Sequence, residues 1–167
     1  EKKLTWHSKS YKGLKKLGLF TYPFLLSQKL KQYQPDIVIA ASDIPHIVWG
    51  AWCAKRLKVP FIADLYDNFE GFGQARIPGM KHLLRQAVCQ AQLVTTTSQP
   101  LAELVIHDYA AQAKVISLPS TVDLTTFRSG NKSNARERFG LLPNKQYIGT
   151  AGGLYKDKGV EVIYQAW

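Results

Sequence analysis

Short continuous apolar runs alternate along this chain with longer stretches in which apolar positions recur at helical spacing. The continuous runs predict strands at 37–41, 61–65, 93–97 and 114–118. The stretches of helical spacing predict helices that begin near Thr21, Pro45, Pro78 and Ser98. Because strand and helix alternate with short connections, the pattern predicts an α/β fold with a Rossmann-like parallel sheet and flanking helices.

The pattern changes after Pro119. Residues 120–144 are mostly polar, apart from a short basic helix predicted at 135–139, and they predict an interdomain linker. A new apolar strand is predicted at Gln146–Gly152, and a further helix is predicted to begin near Asp157. We therefore expect a partial N-terminal domain at 1–119, a linker at 120–144 and the first strand and helix of a second Rossmann-like domain at 145–167.

Composition places the chain among globular proteins, since 46% of its residues are hydrophobic and 20% are charged. Its net charge is +10, and the excess is concentrated in six early lysines: Lys2, Lys3, Lys9, Lys12, Lys15 and Lys16. Such a surface favours phosphates or anionic lipid headgroups, although a solvated basic face accounts for the same charge without a ligand. No nucleic-acid recognition motif accompanies the charge, so no nucleic-acid partner is predicted.

The cysteines indicate the cellular compartment of the protein, and the two ends of the chain indicate whether it is part of a longer protein. Cys53 and Cys89 lie in predicted helices and are interpreted as reduced, buried thiols of a cytoplasmic protein. No apolar run is long enough to span a membrane. The chain starts without Met and stops at Trp167 inside an apolar helical pattern, so we expect it to be a segment of a longer protein.

Candidate chemistry lies where predicted strands end. Gly152 and Gly153 follow the last predicted strand, and Lys158 stands at the start of the next helix; this arrangement suits a phosphate, although an ordinary strand–turn–helix fits it too. Tyr66–Gly73 is a polar, glycine-bearing loop at the carboxyl end of the second strand, where ligands bind in open α/β sheets. No pair of histidines has metal-ligand spacing, although His46 could lie at this crevice.

Several segments between about Thr21 and Trp167 resemble, in order and spacing, glycosyltransferase family 4, whose members have GT-B architecture. They are Pro35–Ile39, Val59–Ile62 leading to Tyr66 and Asp67, Ser98 before a helix, Pro119–Asp123 with Phe127, and Gly152–Gly159. The resemblance implies an incomplete GT-B glycosyltransferase. Its first Rossmann-like domain would bind the acceptor, and its second would bind the nucleotide-sugar.

The resemblance also implies chemistry. The full protein would transfer a sugar from a nucleotide-sugar donor to a glycan or lipid-linked acceptor, with retention and with no cofactor or metal. Gly152, Gly153 and Lys158 would bind the donor diphosphate, although Gly153 stands where many members carry an arginine. Asp67 and Tyr66 are the catalytic candidates, and Tyr66 stands where many members carry a histidine. We expect a cytoplasmic protein with possible peripheral contact at an anionic inner membrane face, and no transfer by this chain alone.

Two alternatives stay open at this point. A non-catalytic, basic Rossmann-type binding module is favoured by Tyr66 and Gly153, which depart from the family pattern. Another nucleotide-binding α/β enzyme, such as an epimerase, would carry Gly-x-Gly-x-x-Gly after a strand. With Gly149 as the first glycine of that motif, Ala151 and Leu154 occupy the other two glycine positions, so the motif does not fit.

Overall fold

The computed structural model describes residues 18–111, 113–149, 151–153 and 158–166. The chain divides into two compact units, Glu1–Thr121 and Val122–Trp167. The six early lysines and Asp157 lie outside the described residues. The assignment of the second unit to the start of a donor domain stays a prediction.

The first unit alternates helix and strand. Its helices are α1 (Gly18–Tyr33), α2 (Ile44–Leu57), α3 (Met80–Cys89) and α4 (Gln99–His107). Its strands are β1 (Val38–Ala40), β2 (Phe61–Leu65), β3 (Leu93–Thr96) and β4 (Lys114–Ser117). Two 3-10 turns, Phe69–Gly71 and Gly73–Arg76, connect β2 to α3. The described part of the second unit contains α5 (Lys132–Arg138) and α6 (Val160–Ala166).

The four strands form one parallel sheet in the order β1-β2-β3-β4, which confirms the predicted α/β fold. Ala40 pairs with Ala63, Ala63 with Val94, and Val94 with Val115. Because each strand pairs with the next one along the chain, right-handed crossovers carry α2, α3 and α4 to the same face of the sheet. The carboxyl ends of all four strands therefore open at one edge.

Burial alternates along the strands because only one face of the sheet is covered by these helices. Val38 and Ala40 are buried, whereas Ile39 between them is 63% exposed. Helix α2 approaches β1 closely at Gly50, where an added Cβ would lie only 2.4 Å from the Cβ of Ala40. The core of the first unit thus depends on a glycine that faces a small strand residue.

Caps at two helix starts explain where these helices begin. The Asp43 carboxylate accepts a hydrogen bond from the backbone N–H of His46 at 3.1 Å and caps α2. Ser98 caps α4, as predicted, by accepting from the N–H of Leu101 at 3.4 Å. Asp43 lies three residues after the end of β1 and Ser98 lies two residues after the end of β3, so both caps also fix loops at the carboxyl edge.

Four helix starts differ from the sequence-based predictions. Helix α5 begins at Lys132, after an Asn131 cap, and not at 135. Helix α1 already includes Gly18, so Thr21 does not cap it. Pro23 therefore lies inside the helix, where its missing N–H removes one backbone hydrogen bond. Helix α3 begins at Met80, because Gly79 has a φ of 85° that does not continue back to Pro78. Helix α6 begins at Val160, after Gly159 with a φ of 72°, and not near Asp157.

The predicted strand Gln146–Gly152 is not formed in its described residues, which are irregular at 146–149 and 151–152. A strand needs neighbours for its backbone N–H and C=O groups, and no strand is present in the described part of the second unit. The side chain of Ile148 is accordingly 75% exposed. Both thiols were predicted to be buried. Cys53 is buried, but the prediction was wrong for Cys89, which lies at the end of α3 and is exposed.

An ion pair between Glu70 and Arg85 joins the first 3-10 turn to α3. Arg85 donates to both carboxylate oxygens of Glu70, at 2.8 and 3.2 Å, and its guanidinium lies 5.1 Å from the ring centroid of Tyr109. The hydrogen bond from Arg85 lowers the pKa of Glu70 below its ordinary value. Burial and the nearby Glu70 carboxylate raise the pKa of Tyr109.

We expect Glu70→Gln to lower the free energy of unfolding by about 0.5–1 kcal/mol at pH 7, the range for a partly exposed ion pair. Folding lowers the pKa of Glu70. The contribution of its ion pair to the free energy of unfolding is therefore fully present above the unfolded-state pKa of about 4.3, and it is lost as the pH falls through the folded-state pKa. Urea denaturation at pH 7 and near pH 3 measures this. The difference in stability between wild type and Glu70→Gln should shrink in acid. An equal loss at both pH values would contradict the assignment.

Among the described residues, no helix is long and apolar enough to cross a membrane.

Candidate functional site

The loops after β1 and β2 lie side by side at the carboxyl edge of the sheet. Residues 41–43 connect β1 to α2, and Tyr66–Asn68 follow β2. The parallel pairing of Ala40 with Ala63 brings these two loops to the same end. This edge is where open α/β sheets bind ligands.

Tyr66 is held by contacts to three neighbouring segments. Its hydroxyl donates to the backbone oxygen of Ser42 at 2.7 Å, and its own backbone oxygen accepts from the Thr97 hydroxyl at 2.9 Å. Its ring meets that of Phe69 edge-on, with 5.2 Å between centroids. The side chain remains 45% exposed. Tyr66 therefore joins the loops after β1, β2 and β3 while keeping part of its ring open to solvent.

Ser42, the residue that receives the Tyr66 hydroxyl, has a φ of 98°. Residues other than glycine rarely adopt this conformation, and it costs about 1–3 kcal/mol where it occurs. The hydrogen bond from Tyr66 holds the carbonyl group of this strained residue. The loop after β1 is thus fixed from the neighbouring strand.

Asp67 stands next to Tyr66 in the same loop, but its side chain has a different partner. Its carboxylate accepts from the backbone N–H of Asn68 at 2.7 Å, and the residue is exposed. The structure thus brings the two predicted catalytic residues into one loop. The Tyr66 hydroxyl is bound to the loop after β1, and the Asp67 carboxylate lies at the turn that leads to Phe69.

A cluster at the start of α2 contains His46, which the sequence suggested for this crevice, and two partners that it did not predict, Asp43 and Gln74. Asp43 Oδ1 lies 2.5 Å from Nδ1 of His46, and Asp43 Oδ2 accepts from Nε2 of Gln74 at 3.1 Å. Partial burial would raise the pKa of Asp43, but the hydrogen bonds from His46 and Gln74 lower it below its ordinary value. The Ser-Asp-Ile-Pro sequence signals a helix cap, but nothing local signals the contact with Gln74, which lies 31 residues away.

The predicted diphosphate-binding residues all belong to the second unit. Gly152 has a φ of 136°, a conformation that favours glycine, and Gly153 beside it is exposed. Lys158 is exposed and lies two residues before α6.

The part of the chain that the structure describes contains no group of three or more His, Cys, Asp or Glu side chains that could hold a metal ion. The polar groups of the first unit's edge are instead a tyrosine, carboxylates, an amide and one imidazole. Such groups bind and orient hydroxyl-bearing ligands by hydrogen bonds.

Comparison with known proteins identifies relatives for most of the chain. The profile of Glycosyltransferase Family 4 matches residues 7–126. An alpha-monoglucosyldiacylglycerol synthase of Streptococcus pneumoniae is 22% identical over 149 residues, 82% of this chain and 34% of the synthase. A D-inositol 3-phosphate glycosyltransferase of Nocardiopsis dassonvillei is 27% identical over 128 residues, 70% of this chain and 29% of that enzyme.

A third relative is an enzyme with a different named activity. A GDP-mannose-dependent alpha-mannosyltransferase of Corynebacterium glutamicum is 28% identical over 148 residues, covering 80% of this chain and 33% of the enzyme. The chain therefore spans about a third of the length of these relatives. The three differ in the substrates that their names state.

Proposed function

Because this chain belongs to Glycosyltransferase Family 4, we propose that the protein containing it transfers a sugar from a nucleotide-sugar to a glycan or lipid-linked acceptor, with retention. The observation that carries the proposal is the family match over 7–126, which spans β1 to β4 and both loops of the candidate site. In this proposal the first unit binds the acceptor at the carboxyl edge of its sheet.

The second unit supplies the contacts to the donor in this proposal. Gly152 and Gly153 let the backbone approach the diphosphate closely, and Lys158 supplies a positive charge to the leaving nucleoside diphosphate. Cations and backbone amides stabilise the negative charge that develops on the diphosphate, and a lysine ammonium does so as a point charge. We propose no metal or cofactor in this chemistry. A cytoplasmic location, with peripheral contact to an anionic membrane face, is part of the same proposal.

The relatives suggest the first substrates to test. Their names include GDP-mannose as a donor, D-inositol 3-phosphate as an acceptor, and a glucosylated diacylglycerol as a product. We propose testing the full-length protein with GDP-mannose and UDP-glucose, each offered to D-inositol 3-phosphate and to vesicles that contain diacylglycerol. Release of nucleoside diphosphate that depends on the acceptor supports the proposal. No acceptor-dependent release from any pair would favour the non-catalytic binding module.

Tyr66 and Asp67 give a graded prediction in the full-length protein. Tyr66→Phe should lower kcat about two- to fourfold, because it removes one neutral hydrogen bond, to Ser42, and keeps the ring. Asp67→Asn should lower kcat about tenfold, since it removes an exposed carboxylate from the loop where the acceptor is proposed to bind. Steady-state kinetics with saturating donor measure both. A large loss in Tyr66→Phe beside full activity in Asp67→Asn would reverse this ranking.

A further inference from the structure

His46 lies at the carboxyl edge and has no role in the chemistry proposed for Tyr66, Asp67 and Lys158. It lies in the first turn of α2, directly after the strained loop that Tyr66 holds. Its Nδ1 is 2.5 Å from Asp43 Oδ1, and its side chain is 44% exposed. In the part of the chain that the structure describes, no hydrogen bond is formed by its other ring nitrogen, Nε2.

The contact with Asp43 selects one tautomer of the neutral imidazole. A carboxylate can only accept, so Nδ1 must carry the proton that it donates to Asp43. Nε2 of the neutral ring then holds a lone pair and is a hydrogen-bond acceptor. Asp43 itself is anchored on its other oxygen by Gln74, which fixes the carboxylate between the loop after β1 and the second 3-10 turn.

Aromatic neighbours hold the imidazole from its sides. The rings of Tyr22, in α1, and Trp49, in α2, meet the His46 ring close to edge-on, with centroids 6.2 and 5.7 Å away. Tyr22 and Trp49 also contact each other at 5.0 Å. The imidazole is therefore oriented by one carboxylate and two rings before any ligand arrives, as a binding group should be.

We propose that Nε2 of His46 accepts a hydrogen bond from a hydroxyl group of the sugar acceptor, and that Asp43 is the positioning residue that presents it. This inference rests on the proposed function, because it requires that a hydroxyl-bearing acceptor binds at the carboxyl edge of the first unit. It assigns to the acceptor side a residue from the first turn of α2, which follows the loop after β1.

Two amide substitutions separate this role from a structural one. In His46→Gln the amide can reach the position of Nε2, whereas in His46→Asn it can reach only the position of Nδ1 and can still contact Asp43. We expect His46→Asn to lower kcat/KM for the acceptor about three- to tenfold, the effect of one lost hydrogen bond, and His46→Gln to lower it less. KM for the donor should stay unchanged in both variants. The matched control is His82→Asn in α3, an exposed histidine distant in sequence from this loop, which should behave as wild type.

The assay uses the full-length protein and whichever of D-inositol 3-phosphate or diacylglycerol it glycosylates. Equal activity in His46→Asn and wild type, or a greater loss in His46→Gln than in His46→Asn, would overturn the inference and leave the proposed function intact. Absence of transfer by the wild-type protein would overturn the proposed function and this inference with it.

A second measurement keeps the inference testable if either variant fails to fold. Long-range proton–nitrogen NMR spectra of the wild-type protein distinguish the two neutral tautomers of histidine. We expect neutral His46 to be protonated on Nδ1, and we expect Asp43→Asn to shift the balance toward the Nε2-protonated form. A wild-type His46 protonated on Nε2 would overturn the inference, because that nitrogen could not then accept from a hydroxyl.

Discussion

Gly50→Val should lower the free energy of unfolding of this chain by about 3 kcal/mol, the upper range for forced overpacking of a core. A Cβ at position 50 would lie 2.4 Å from the Cβ of Ala40 and 3.2 Å from Cε2 of Phe61. Because Ala40 is a strand residue with no flexible end, the conflict can be relieved only if α2 or β1 moves. Urea denaturation followed by circular dichroism measures the loss.

The control is Gly71→Val, at a glycine where an added Cβ would meet nothing within 4 Å. It should leave the midpoint of unfolding nearly unchanged. The mechanism is tested by combining Gly50→Ala with Ala40→Gly, which removes the methyl group that causes the clash. The double variant should be more stable than the sum of the two single losses predicts, by about 1 kcal/mol. Strict additivity would show that the helix and strand do not meet at this point.

Lys158→Ala should weaken binding of nucleoside diphosphate to the full-length protein by about 1.5–3 kcal/mol, the range for hydrogen bonds to charged groups. Lys158 is exposed and lies just before α6, after the glycine turn at Gly152 and Gly153. Because Gly153 stands where many family members carry an arginine, Lys158 would bind the proposed diphosphate with one cation fewer. Titration calorimetry with GDP and with UDP measures the change.

Lys132→Ala provides the control for this measurement, because Lys132 is an exposed lysine at the start of α5 in the same unit. It should leave affinity for nucleoside diphosphate unchanged. Equal affinity in Lys158→Ala and wild type would mean that Lys158 is a solvated lysine of an ordinary helix start. Equal losses in both variants would point to a general effect of net charge, not to a diphosphate site.

The strands of the first unit could be predicted well because their signal is local. Strand β2 has the predicted bounds, Phe61–Leu65, and β3 and β4 each end one residue early. Continuous apolar runs between polar turns are typical of parallel strands, which carry helices on their faces. The predicted strand at 146–152 had the same local pattern, but the described part of the second unit contains no strand that could pair with it, and this prediction was wrong.

The candidate site could be predicted only in part, because its contacts join distant residues. The loop Tyr66–Gly73 could be identified from its place after a strand. The partner of the Tyr66 hydroxyl, Ser42, lies 24 residues earlier, and nothing in either sequence segment indicates the positive φ at Ser42. The Asp43–Gln74 contact spans 31 residues in the same way. Side-chain geometry of this kind depends on the register between β1 and β2, which periodicity does not specify.

The contacts of Tyr66 indicate a structural role for this residue, which occupies a position where many family members carry a histidine. A tyrosine hydroxyl is a poor proton shuttle near neutral pH, and here it is already donated to Ser42. Its contribution in this structure is to fix the loop that leads to Asp43 and His46. In our proposal an imidazole still lies on the acceptor side, but it comes from the start of α2.

Sugar transfer by the full-length protein can be read from the mass of the acceptor after incubation with a nucleotide-sugar whose sugar is uniformly labelled with carbon-13. We expect an acceptor heavier by one labelled sugar residue, formed by wild type and formed more slowly by Asp67→Asn and Lys158→Ala. An acceptor of unchanged mass with every donor and acceptor tested, in the presence of folded protein, would contradict it.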